Sequence, residues 1–147
     1  MKKTIFLLLG VLVSTISFAT EITSGQKLQC AYKAFDDPNK EALATGVQSA
    51  TVDSPDFEGS NVRARVEMNS AVLDKNFIVI GGLFKDPSLP KDTLRITVQV
   101  LNEEGRAAFV GVEGLQADQT TRSTLVLFAG KENKRPVWIE AKCTVVD

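Results

Sequence analysis

Four stretches of the chain alternate apolar and polar residues with a two-residue period, which is the signature of strands that bury one face and wet the other. In Lys27 to Phe35, residues Leu28, Cys30, Tyr32 and Ala34 fall on one side and Lys27, Gln29, Ala31 and Lys33 on the other. The same period runs through Val62 to Met68, Leu94 to Val100 and Val137 to Val145. Between them lie Ala44 to Val52, Phe77 to Phe84, Arg106 to Val112 and Ser123 to Ala129, rich in β-branched or aromatic residues and bounded by turn formers. Hairpin turns are expected at Leu73-Asp74-Lys75-Asn76, Asn102-Glu103-Glu104-Gly105 and Lys131-Glu132-Asn133-Lys134. The expected fold is all-β, with about eight mostly antiparallel strands in a sandwich or small barrel. A helical turn or two is expected to begin at Asp37, which can cap, with Pro38 at the first helical position. Gly81 and Gly82, inside an apolar run, read as a bulge or bend.

The chain opens with Lys2 and Lys3, continues through an apolar run from Ile5 to Val13, and reaches the small residues Ser17 and Ala19. This pattern predicts a signal peptide, residues 1–19, cleaved to leave one all-β domain, residues 20–147. The protein is then expected in the periplasm or secreted, and not embedded in a membrane after cleavage, because no second long apolar run follows. A transmembrane β-barrel is disfavoured, since Tyr32 and Trp138 are the only Tyr and Trp residues and cannot form aromatic girdles. Export also places Cys30 and Cys143 in an oxidising compartment. Both sit on apolar faces of alternating strands, one near each end of the mature chain, so a disulfide joining the terminal strands is expected. The formal net charge is −1 and becomes more acidic without Lys2 and Lys3, which argues against nucleic acid as a partner.

The chain has no histidine. Ser-His-Asp and Cys-His catalysis and zincin-type metal binding are therefore closed to it. No motif calls for a cofactor. The densest acidic group is the loop Asp53 to Asn61, where Asp53, Asp56, Glu58 and Asn61 offer oxygen ligands to a hard cation, although the spacing departs from that of a calcium loop. The same carboxylates would serve a small hydrolase. Arg63 and Arg65 share one face of a strand and offer an anion grip. Trp138 lies opposite Ile139 and Cys143, beside Glu140 and Lys142, where a strand ordinarily meets water. A tryptophan so placed serves as an interface anchor or a platform for sugar rings. Phe77 to Ile80 and Leu125 to Phe128 are apolar on both faces, so a loop, the short helix or a second copy in a homodimer is expected to cover them. The reading that follows is an exported, non-catalytic binding or interaction module for a protein or glycan, with a carboxylate-dependent hydrolase or a self-associating structural protein of the cell envelope as alternatives.

Overall fold

The computed structural model describes residues 21–147 except 74, 86, 89–91, 102–106, 113–120 and 129–135, and in 107–112 and much of 121–128 the backbone alone. Eight strands span the described residues: β1 (Lys27–Phe35), β2 (Ala44–Thr51), β3 (Val62–Val72), β4 (Lys75–Phe84), β5 (Thr93–Leu101), β6 (Ala107–Val112), β7 (Thr121–Phe128) and β8 (Val137–Val146). They form two antiparallel four-stranded sheets, ordered β2-β1-β8-β7 and β3-β4-β5-β6. Every neighbour in space is also a neighbour in sequence, except that β8 returns to β1. The chain therefore runs the circuit of an up-and-down barrel, flattened into two layers and opened where it passes from one sheet to the other. Both expected architectures are legible in this arrangement.

The alternating strands behave as their periodicity requires. Leu28, Cys30, Tyr32 and Ala34 of β1 are buried, as are Val137, Ile139, Ala141, Cys143 and Val145 of β8. They face Ala64, Val66 and Met68 of β3, Phe77, Val79 and Leu83 of β4, and Leu94, Ile96, Val98 and Val100 of β5 in one continuous core. Each large aliphatic or aromatic side chain placed there contributes about 1.5–3 kcal/mol by leaving water. The Tyr32 ring meets Phe77 edge-on across the two layers, with centroids 5.3 Å apart. Tyr32 also lies over Gly46, its register partner on β2, where any Cβ would overlap the ring.

The disulfide joins β1 to β8, with Cys30 and Cys143 directly opposite in register and their Cα atoms 4.1 Å apart. That separation marks a narrow, non-hydrogen-bonded pair of an antiparallel ladder. Both cysteines are fully buried. The expected bulge or bend at Gly81 and Gly82 is not found: both stay in register with β3 and β5. Gly81 is instead the seat of the disulfide, because a Cβ there would overlap both sulfurs. Gly82 is the floor beneath the Phe84 ring. The register shift of that sheet falls at Arg63, between Val62 and Ala64.

The helical turns expected from Asp37 are replaced by a single tight turn. The Asp37 carboxylate accepts from the Asn39 amide, as a cap would, and its carbonyl accepts from Lys40 N–H. Leu43 N–H then donates to Ala34 and the chain has already reversed into β2. A capping Asp followed by Pro suits a turn and a helix equally, and the demand for a β1–β2 hairpin decides between them. The β3–β4 hairpin closes just beyond the paired Val72 and Lys75, so Lys75 and Asn76 of the expected turn belong to β4. Leu73 takes a left-handed φ of 56°. The expected turns at 102–105 and 131–134 lie outside the described residues.

Candidate functional site

The outward face of the β2-β1-β8-β7 sheet carries Trp138. Register places it between Phe35 on β1 and Leu127 on β7, so three large apolar residues form one row across the sheet. Trp138 and Phe35 are half-buried, and Leu127 is 47% exposed. The next row joins Lys33 and Glu140, and the one after it carries Lys142, exposed and paired with Ala31 and Ser123. An apolar row is thus bordered by charges of both signs. It lies at the end of the sandwich where β1 leads into β2 and β7 into β8. Leu43 and Leu73, each more than half exposed, occupy connections at this same end. Sequence reading singled out Trp138 and Lys142, and Leu127 only within the apolar run Leu125 to Phe128, but not Phe35; register alone shows that Phe35 and Leu127 flank the indole.

The opposite end is polar and held by Arg63. Its guanidinium grips Asp53 with two bonds, Nε to Oδ1 at 2.9 Å and Nη2 to Oδ2 at 2.6 Å. Nη1 donates to the Ile22 carbonyl at 3.1 Å and to the Asp92 carboxylate. Ser24 Oγ donates to the same Asp53 carboxylate, and Asp53 N–H donates to the Arg63 carbonyl. The bulge at Arg63 explains how a strand residue reaches so many partners, since an extra residue re-aims its side chain off the ladder. One side chain thereby ties the segment before β1, the β2–β3 connection and the β4–β5 connection. The hydrogen bonds from Arg63, aided by the Ser24 hydroxyl and opposed by partial burial, hold the Asp53 carboxyl down to about 2. The two carboxylates in turn raise Arg63 above its ordinary value.

Arg65 does not join this corner. It pairs with Glu67 at 2.8 Å, with both side chains largely in water. The structure therefore separates the two arginines into different ion pairs, and places both on the sheet opposite Trp138 and Lys142. The carboxylates of the β2–β3 connection are not assembled either. Asp53 faces Arg63, and Asp56 accepts from Ser54 beside the short 3-10 turn Pro55–Phe57. Among the described residues no three His, Cys, Asp or Glu side chains converge to hold a metal ion. A carboxylate bound by a guanidinium and ionised down to about pH 2 is also a poor proton shuttle.

No protein-family model matches the chain, and neither a curated protein nor a solved structure gives a significant match. Its own residues define it as a disulfide-linked, sandwich-like β-fold with one polar, ion-paired end and one apolar end.

Proposed function

We propose that this protein is an exported, non-catalytic binding module that docks a protein partner on the outward face of the β2-β1-β8-β7 sheet. The observation that carries the reading is the row Phe35, Trp138 and Leu127, bordered by Lys33, Glu140 and Lys142. An aromatic centre with a mixed-charge rim is the composition of an interaction hot spot. A sugar platform is less well served, because the indole is flanked in its own row and half-buried rather than presented as an open face. Export is supported by the Cys30–Cys143 disulfide, which needs an oxidising compartment to form. Among the described residues no helix is long and apolar enough to cross a membrane. The apolar interior, with Lys27, Lys33, Glu140 and Lys142 facing outward, has the opposite polarity to a barrel lodged in lipid.

Trp138 is the only tryptophan, so its emission reports on this face without interference. The test is to fractionate the host's envelope extract and add each fraction to the purified protein. The partner should shift the emission to shorter wavelength and protect it from acrylamide quenching. W138A should lose the same partner in a pull-down while its melting temperature stays within about 2–3 °C of the parent, a shift below roughly 1 kcal/mol for a domain this size. Equal capture by W138A, or its failure to fold, would reject the assignment.

A further inference from the structure

Strand β2 differs from the other strands whose side chains are described. None of its residues is buried, and Val47, Gln48 and Ser49 are exposed in succession, so its middle is open on both faces. Val47 is the most exposed large apolar residue described, at 67%. Among the described residues the strand pairs only with β1, and its sequence from Ala44 to Thr51 carries no charge and no proline. Edge strands ordinarily carry such residues to prevent pairing with another chain. On the facing sheet β3 is protected by charge, in Arg63, Arg65 and Glu67, and by a bulge.

The orientation of the free backbone groups follows from the ladder. Cys30 and Cys143 form a narrow pair, so the N–H and C=O of Cys30 turn away from β8 and toward β2. Its partner there is Gln48, which makes Cys30 and Gln48 a hydrogen-bonded pair. Even-numbered residues of β2 are thus spent on β1, as Val52 N–H donating to Gln26 independently shows. Odd-numbered residues point their backbone outward: Asp53 N–H, two positions beyond the strand, reaches Arg63 of β3. Among the described residues no ladder takes up those of Thr45, Val47 and Ser49.

We infer that this edge is a homodimer interface, in which β2 pairs antiparallel with β2 of a second copy about a two-fold axis at Val47. That register places Val47 opposite Val47 and Thr45 opposite Ser49 of the second copy. All three are outward-pointing, hydrogen-bonding positions, so each such pair exchanges two backbone bonds. The side-chain pairs suit it as well: two β-branched apolar residues meet at the centre and hydroxyls meet on either side. No like charges meet at the junction, because the strand has none. An antiparallel strand that matches itself at its most exposed apolar residue favours a second copy over a foreign peptide. The inference is independent of the role given to Trp138, which lies two strands away.

Sedimentation velocity from low micromolar to submillimolar concentration tests it. The parent should move to twice the monomer mass, and V47K, which sets two lysines face to face on the axis, should weaken the dimer roughly 100-fold or more. Register is read by cysteine. V47C should cross-link to itself on mild oxidation, because a hydrogen-bonded pair holds Cα atoms about 5.5 Å apart, within disulfide reach. T45C and S49C should cross-link with each other when mixed and far less when alone. A parent that stays monomeric throughout, including one that captures an extended foreign peptide instead, overturns the inference. So does a dimer that V47K leaves unchanged.

Discussion

Replacing Gly81 by alanine isolates the contact between the disulfide of one layer and the backbone of the other. The added methyl would overlap the sulfurs of both Cys30 and Cys143, and neither cysteine has solvent to move into. Overpacking of this kind costs about 1–3 kcal/mol. Part is offset because alanine restricts the unfolded chain, which returns about 0.4–1 kcal/mol. G81A should therefore lose about 1–2 kcal/mol with the disulfide intact. In a C30A/C143A background the sulfurs are gone and the methyl enters the space they leave. There the same substitution should be neutral or stabilising by up to about 1 kcal/mol. The coupling between the two changes is thus about 1–3 kcal/mol, beyond the few tenths expected of independent sites. Urea denaturation of the parent, G81A, C30A/C143A and the triple variant measures it. Removing the disulfide alone has a ceiling of roughly 4–5 kcal/mol, so all four are compared in sulfate, which strengthens burial without touching the contact. Additivity within about 0.5 kcal/mol would show that Gly81 does not seat the disulfide.

The Arg63 corner and the β3–β4 hairpin give two more tests. R63M should destabilise by about 2–4 kcal/mol because two partly buried carboxylates lose their shared cation, and R63K should recover less than half because an ammonium cannot grip Asp53 with two parallel bonds. The Asp53 carboxyl is depressed from 3.8 to about 2, so its stabilisation is complete above the ordinary value and disappears as pH falls through the folded one. Because a third of that side chain is in water, the pH-dependent part is about 1 kcal/mol. The gap between parent and R63M should narrow by that amount between pH 5 and pH 2, the range spanned by the ordinary and the depressed Asp53 values; a constant gap would be contrary. L73N should raise stability by about 0.5–1 kcal/mol, since asparagine tolerates the left-handed φ of 56° better than leucine. A drop in the urea midpoint would show that the Leu73 side chain is needed where it stands.

The strands were legible because a half-buried strand writes its two faces into alternate residues, as Lys27–Phe35 and Val137–Val146 do. The disulfide followed for the same reason: Cys30 and Cys143 each occupy an apolar position of an alternating strand. What escaped were contacts that need two distant segments placed at once. Gly81 carries no sign that a disulfide from the other sheet will rest on it. Arg63 looks like Arg65 until a bulge turns it toward Asp53 and Asp92, which lie on two different connections. Trp138 stood out by composition, yet Phe35 and Leu127 join it only through register, which depends on three strands together.

The most direct test of the binding role is site-specific photo-crosslinking in the protein's own host, with the reactive group placed in turn at Leu127, Lys142 and Arg65. Leu127 belongs to the Trp138 row and Lys142 borders it, whereas Arg65 faces outward from the other sheet. The account predicts a discrete adduct with a second protein from the first two positions, absent from Arg65 and abolished by W138A. An adduct from Arg65, or one from Leu127 that W138A leaves intact, would contradict it.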